Sequence, residues 1–333
     1  MKPPKNDFSL ELAAYLTEKD FVYGPEPELY GGIAGFYTYG PLGKRLKNNV
    51  EAVIRNAFNQ NAFFEIEYPL IAPAAVWKAS GHLDHFNDPT IICSKCKSSF
   101  RVDKLLEEAG DANAGHYDDA KLTEQIQKND LKCPNCKGRF DLDIKRYSLM
   151  MKTIIGTDTE AYNRPETATT TYLPFKHYLN FFRNKLPFAV FQIGKAFRNE
   201  ISPRQHLLRQ REFTQAESQF FIHPSEKKEF KRFDAVANQK LPLWTEENQK
   251  KDQPLKMIPL SDAMSKKILK NKAFAWNLWL SYHIFTSVGI PAEKLRLRQH
   301  HSDERAFYSE DTWDLEANLQ SFGWTELCGI SDR

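Results

Sequence analysis

Four cysteines stand in two C-x2-C pairs, Cys93/Cys96 and Cys133/Cys136, and a fifth, Cys328, lies far from both. Two such pairs supply four thiolates, the donor set of a closed tetrahedral zinc site, and a metal so held is structural because no coordination position stays open. The pairs are 36 residues apart, longer than usual in a zinc ribbon, and four reduced cysteines without metal is the competing reading. A second pattern lies further along. Gln192, Gly194, Ala196, Arg198 and Glu200 alternate with Phe191, Ile193, Lys195 and Phe197, and a later run places Arg211, Phe213, Gln215, Glu217 and Gln219 two apart. Side chains two apart on a strand share a face, so a hairpin of these runs collects a guanidinium, an aromatic plane and carboxylates in one hollow. A guanidinium can grip a phosphate by two bonds, a ring can stack on a base, and a carboxylate can accept from an amino group. A solvated hairpin face with ordinary ion pairs fits the same pattern.

The elements that would carry these groups follow from periodicity. Leu42, Leu46, Val50, Val53, Ile54, Ala57 and Phe58 recur at helical spacing over 41–59, with Pro41 suited to the first turn. Phe64, Ile66 and Tyr68 alternate with acids in a strand that stops at Pro69. The hairpin strands are expected over 189–200 and 211–222, a Lys-rich helical stretch over 226–272, an apolar core helix over 273–288 and a last strand over 324–330. The segment 91–140 differs in character and reads as a small insertion. Strands and helices with long antiparallel hairpins favour an α+β fold.

The 333 residues carry a formal charge of +3 and are 41% hydrophobic and 13% aromatic. That balance excludes a histone-like polycation and an acidic disordered chain. With no apolar run near 18 residues, and none behind Met1 to Lys5, neither a membrane span nor a signal peptide is expected, and the predicted compartment is the cytoplasm.

The block Phe197-Arg198-Asn199-Glu200-Ile201-Ser202-Pro203-Arg204, followed by Arg211-Glu212-Phe213-Thr214-Gln215-Ala216-Glu217, resembles motif 2 of the class II aminoacyl-tRNA synthetases, nearest to the glycyl-tRNA synthetases of the archaeal, eukaryotic and dimeric bacterial type. Leu46-Lys47-Asn48-Asn49 through Pro69 and Trp77-Lys78-Ala79-Ser80-Gly81-His82 resemble that family's motif 1 region. Asn163-Arg164-Pro165-Glu166-Thr167-Ala168 is similar to its R-P-E-T-A block, and Gly323-Trp324-Thr325-Glu326 with Ser331-Asp332-Arg333 to the strand before motif 3. The blocks are collinear and span nearly the whole chain.

The resemblance implies a class II antiparallel sheet flanked by helices, with the core formed by 1–90 and 141–333, a zinc-ribbon-like insertion over 91–140, and a basic helical insertion over 223–272 near the tRNA acceptor arm, where a solvated surface is an equal reading. It implies an ATP site of Arg198, Asn199, Glu200, Leu208, Arg209, Arg211, Phe213, Glu326 and Leu327. Arg198 would hold the α-phosphate, Glu200 the adenine amino group and Phe213 the adenine face, with Mg²⁺ near Glu326. It implies a glycine site of Arg101, Glu166, Phe213, Gln215, Glu217 and Arg333, with Glu166 and Glu217 about the ammonium group and Arg333 facing the carboxylate. Arg198, Glu326 and Arg333 would be catalytic.

The implied activity is ATP-dependent formation of glycyl-adenylate and transfer to tRNA(Gly), by a homodimer built through motif 1. The chain ends at Arg333, before the expected motif 3 and anticodon-binding domain. A second polypeptide supplying both is therefore expected, a shortened product being the alternative. A non-catalytic synthetase-like paralogue is the rival from another class, and a zinc-ribbon nucleic-acid binder accounts for only the insertion.

Overall fold

The computed structural model describes residues 7–333 apart from 112, 113, 202, 204, 205 and 307. Met1 to Lys5, and Ser202 and Arg204 of the motif 2 block, lie outside the described residues. A 20-residue helix, Pro41–Gln60, opens on its proline at the first helical position, where no N–H is missed. It turns Ala57 and Phe58 inward. There Phe58 packs on Phe63 at 5.1 Å and on Phe191 at 4.9 Å. The helix is followed by a short strand, Phe63–Glu65, which pairs in parallel with Phe188–Phe197. That strand pairs antiparallel with Glu212–Phe221, giving a three-stranded sheet with the hairpin at one side.

A five-stranded sheet stands beside it, in the order Lys256–Pro259, Lys240–Trp244, Leu295–Gln299, Asp311–Leu319, Gly323–Asp332. Both sheets are roofed by the apolar helix Lys272–Val288, whose Trp276 stacks near Phe63 at 6.3 Å and Phe220 at 6.0 Å. One core therefore joins Phe191 of the hairpin, Leu243, Leu297 and Leu315 of the larger sheet, and Ala275 and Leu278 of the helix. The hairpin's floor and the larger sheet are fixed relative to one another by this shared apolar layer.

The stretch 223–272, expected as a basic helical insertion, is built otherwise. It holds two strands of the larger sheet, and Leu241, Leu243 and Leu260 are completely buried in the main core. Its basic residues serve the fold as well: Lys227 donates to Asp332 at 2.7 Å and pins the end of the last strand. Residues 91–140 have a separate small core made by Ile91, Phe100, Val102, Leu106, Leu122, Ile126 and Phe140. The strand Asn87–Cys93 enters it and Phe140–Ser148 leaves it, paired antiparallel. No helix among the described residues is long and apolar enough to cross a membrane.

Candidate active site and metal centre

The hairpin register sets Gln192 opposite Glu217, Gly194 opposite Gln215 and Ala196 opposite Phe213. Cross-strand partners lie on one face, so the small residues of the first strand leave room above them for the long ones of the second. Gly194 is required for another reason. A Cβ there would lie 2.2 Å from the buried guanidinium of Arg164, which crosses the strand on this same face. Arg164 donates to Lys195 O at 2.7 Å and to Gln192 Oε1 at 2.8 Å, and Gln192 in turn donates to Thr171 Oγ1 at 2.6 Å. This buried polar network ties the Arg164–Thr167 segment to the floor of the site.

The first strand ends at Phe197 rather than Glu200. Beyond it the chain turns tightly, with Glu200 N–H bonded to Arg198 O at 2.8 Å. Arg198 nonetheless lies over the floor, its guanidinium 5.2 Å from the Phe213 ring and 5.5 Å from Phe86 on its other side. Its Nε donates to Pro165 O at 3.1 Å. Burial lowers its affinity for the proton, while Glu200, Glu166 and Glu326 act in the opposite direction. Those carboxylates therefore converge on one guanidinium, which stays charged at neutral pH.

A cavity of about 710 Å³ opens beside this group. Arg198, Glu200, Leu208, Arg209, Phe213, Gln215, Glu326 and Leu327 line it, together with Leu46, Val50 and Ile54 of the helix Pro41–Gln60. Asn199 is exposed, and its backbone N–H bonds Leu149 O at 2.8 Å. Arg101, Glu166, Asn199, Arg211, Glu217 and Arg333 are not in this wall, and Arg211 departs furthest from expectation. Its guanidinium donates to the backbone carbonyls of Glu200 at 2.6 Å and Ala34 at 2.8 Å, so it clamps the loop around Gly35 instead of facing a ligand. Gly35 allows that approach, because a Cβ there would lie 3.0 Å from Arg211 and its φ is +87°.

Glu217 and Glu166 face one another further along the floor. Burial first, and then the charge of Glu166, push the Glu217 carboxyl up to about 7, against the opposing effect of Arg333. Arg333 itself lies over the rings of Tyr308 at 4.4 Å and Tyr172 at 4.8 Å. Glu166 has a local task as well, since its carboxylate accepts the backbone N–H groups of Ala168 and Thr169. Arg101 is paired with Asp88 at 3.1 Å and Asp103 at 2.5 Å. Asp88 feels Glu200 and Arg209, which places this arm of the insertion next to the motif 2 loop. Glu326 is raised by burial and by Asp314, with His300 and Arg298 acting against both. His300, given no role from the sequence, bonds Asp314 Oδ2 at 2.8 Å.

The four-cysteine cluster is built from two matching turns. Cys93 O accepts from Lys97 N at 3.0 Å and Cys133 O from Lys137 N at 2.9 Å, with Lys97 and Lys137 both left-handed at φ 58° and 59°. The four Sγ atoms lie within 4.8 Å of one another. Cys93 and Cys136 are 3.5 Å apart, and Cys96 and Cys133 3.6 Å. Zn–S bonds of about 2.3 Å in a tetrahedron need sulfurs about 3.8 Å apart, so the donor set fits a zinc ion. Gly138 is the closing piece, for a Cβ there would meet Cys136 Sγ at 3.2 Å and Cys93 Sγ at 3.3 Å. Cys328 is remote from this cluster and belongs to the main core. The side chain of His116 lies outside the described residues.

Residues 152–239, which include the hairpin, match the tRNA synthetase class II core domain (G, H, P, S and T). The prolyl-tRNA synthetase of Giardia lamblia, solved in complex with prolyl-adenylate, superposes with a TM-score of 0.55 over 98% of this chain and 45% of its own, at 12% identity. Residues 152–239 are thus similar to part of a class II tRNA synthetase core, and the chain as a whole shares the fold of that neighbour. Its relatives are more particular. It is 44% identical over its whole length to a glycine–tRNA ligase of Thermococcus gammatolerans, and 46% identical over 97% of its length to that of Pyrococcus abyssi. The chain is a homologue of the glycine–tRNA ligases, and it spans 58% and 56% of the length of these two relatives.

Proposed function

We propose that this chain carries the amino-acid-activating site of a glycine–tRNA ligase, joining glycine to the α-phosphate of ATP with release of pyrophosphate before transfer to tRNA(Gly). The observation that carries this reading is Arg198, its guanidinium over the Phe213 ring at 5.2 Å and in the electrostatic field of Glu200, Glu166 and Glu326. A purine laid on Phe213 brings its phosphates to Arg198 and Arg209, and Glu200 is the carboxylate within reach of the adenine amino group. Glu166 and Glu217 receive the ammonium group of glycine, and Arg333 faces its carboxylate. Attack of that carboxylate on the α-phosphorus needs alignment and charge stabilisation more than covalent help. Glu326, with Asp314 and Glu316 beside it, is the group that would hold Mg²⁺, which offsets charge on the phosphates when bound. Zinc in the four-cysteine cluster would be structural. The presence together of Arg198, Glu200, Phe213, Glu166 and Glu217 speaks against a non-catalytic paralogue.

A glycine site has no side chain to grip, so selection rests on the two charged ends and on steric exclusion. ATP–pyrophosphate exchange with a panel of amino acids tests the reading. Glycine should be preferred over alanine by at least about 10²-fold, and Glu217→Ala should lose glycine-dependent exchange. Preference for another amino acid, or unaltered exchange in the variant, sinks it.

The same carboxyl sets a pH dependence. Ammonium binding requires Glu217 ionised, so the KM for glycine should rise as pH falls through about 7. Stability runs the other way, because the folded state holds this proton more tightly than the unfolded chain does. That contribution is complete below the ordinary carboxyl range and is lost as pH rises through about 7. Glu217→Gln should flatten both profiles.

The hairpin strand Glu212–Phe221 and the last strand, Gly323–Asp332, are edges of their respective sheets. The cavity between them has an apolar wall of Leu46, Val50, Ile54 and Leu327, in which Thr214 Oγ1 has no hydrogen-bond partner among the described residues. We place there the region that the relatives possess beyond this stretch, whether it lies on the same polypeptide or on a partner chain. It would bring motif 3 to the site, with the anticodon-binding domain attached. Exchange activity should be weak without that region and restored by it. Association of two copies through the helix Pro41–Gln60 and its neighbouring strand completes the assembly, and residence in the cytoplasm follows from its work on tRNA.

A further inference from the structure

We propose that His82 is a positioning residue for Glu166, presenting Nε2–H to the carboxylate that receives the amino group of the substrate, with Ser80 fixing the imidazole tautomer. This deepens the reading above and rests on it for the identity of the substrate. The block Trp77–His82 was legible in the sequence, yet none of its residues has a part in the ligand set described so far.

Gly81, at φ +78°, folds the chain back so that Ser80 and His82 meet. Ser80 Oγ lies 2.8 Å from His82 Nδ1, and His82 Nε2 lies 3.8 Å from Glu166 Oε1. The ring is held edge-on between Trp77, at 5.5 Å, and Phe86, at 5.6 Å. Phe86 is the same ring that flanks Arg198, so His82, Phe86, Arg198 and Glu166 form one packed unit. The charged groups acting on the imidazole are Glu166 and Arg198. Burial favours the neutral ring, Glu166 opposes this and Arg198 reinforces it.

A neutral imidazole donates from one nitrogen and accepts at the other. The single Ser80 hydroxyl proton has two acceptors in reach, His82 Nδ1 at 2.8 Å and Trp77 O at 3.3 Å; given to the nearer Nδ1, it leaves the imidazole hydrogen on Nε2, the nitrogen on the side of the carboxylate. The opposite tautomer would set a nitrogen lone pair against the Glu166 oxygens. Bonds of this kind are commonly long before substrate is in place and tighten with it. A pocket of about 210 Å³ lined by Ser80, Gly81, His82, His85 and Phe86 leaves the ring room for that adjustment. Glu166 is thus held from two directions: the backbone N–H groups of Ala168 and Thr169 fix it from behind, and His82 from the side.

Two measurements on the full chain test this. Nitrogen-15 spectra of labelled histidine should show His82 as the neutral Nε2–H tautomer at pH 7, with its Nε2 signal displaced in Glu166→Gln. In pyrophosphate exchange, His82→Phe should raise the KM for glycine about 10- to 100-fold, the loss of a hydrogen bond to a charged group, with the KM for ATP within about twofold. His82→Gln, which can offer an amide N–H, should recover most of that loss. Should His82→Phe fail to fold, Ser80→Ala retains the ring and should raise the glycine KM about 2- to 10-fold through the tautomer alone. A charged or Nδ1–H imidazole in the unaltered protein overturns the proposal, as does a variant in which both KM values move together or neither moves. Absence of glycine-dependent exchange in the unaltered protein, measured with the region that the relatives possess beyond this stretch supplied, would instead remove the activity reading. In that case the tautomer and its response to Glu166→Gln still decide the role of His82.

Discussion

Arg198→Ala is expected to lower kcat/KM for ATP in pyrophosphate exchange by about 10²- to 10³-fold, the cost of removing one preorganised charge donor from a reacting phosphate. The reason lies in how the guanidinium is held. Two rings flank it, Phe213 at 5.2 Å and Phe86 at 5.5 Å, and Pro165 O accepts from its Nε at 3.1 Å. The group is therefore oriented before ligand arrives, and little ordering entropy remains to be lost on binding. Arg198→Lys should recover only a small part of the loss, because an ammonium group cannot reproduce the planar two-point contact or the stacking. Removing the cation also weakens the compensation of Glu200, Glu166 and Glu326, leaving Glu200 to Arg209 and Glu326 to His300 and Arg298, so saturating glycine should not rescue the variant. A change below about fivefold, with the fold retained, would mean that the α-phosphate is held elsewhere.

Local periodicity revealed much of the scaffold that positions this group. Pro41 and the apolar spacing behind it marked the helix Pro41–Gln60, and the alternation across the hairpin placed Gln192, Gly194 and Ala196 on the face shared with Phe213, Gln215 and Glu217. The strand Lys240–Trp244 was hidden for a physical reason. Pro242 argues against a strand, and the apolar run around it is only four residues long, between Lys240 and the polar Thr245-Glu246-Glu247. The structure tolerates Pro242 because its antiparallel neighbour pairs there through Met257, whereas the parallel neighbour begins only at Leu243. Roles within the site were harder to read, since an ionised side chain can face a ligand or a protein group equally well. Glu166 lies two residues before its helix and accepts N–H bonds from it, and Arg211 spends its guanidinium on two carbonyls. Neither pairing leaves a periodic mark. The contact between Asp314 and His300, and that between Ser80, His82 and Glu166, join segments far apart in sequence or separated by a single glycine turn, and their spacing carries no signal of proximity.

Removal of metal from the four-cysteine cluster is expected to unfold residues 91–140 while leaving the main core intact. The insertion has its own apolar core, and that core is small: Ile91, Phe100, Leu106, Leu122 and Ile126 are its principal buried members. Modules of this size seldom reach independent stability without a staple. Structural zinc contributes about 10–16 kcal/mol in small zinc-finger peptides, comparable with the 5–15 kcal/mol that stabilises an ordinary domain. Cys133→Ser, or treatment with a strong chelator, should therefore reduce bound zinc from one per chain to well under a tenth and open 91–140 to limited proteolysis. The effect should reach the site through the strands that leave the module. Asn87–Cys93 carries Asp88 and Ser99–Arg101 ends at Arg101, a pair 3.1 Å apart that adjoins Glu200 and Arg209. Once those strands loosen, Arg101 loses the geometry that Asp88 and Asp103 impose on it, and the KM for glycine should rise about tenfold or more, the order expected when a hydrogen bond to a charged group is misplaced. The helix Lys272–Val288 and the core around Trp276 share no residue with the module's core, so cooperative melting of the main body should be preserved. Full protection of 91–140 after metal is stripped would mean that reduced cysteines suffice and that the cluster is not a zinc site.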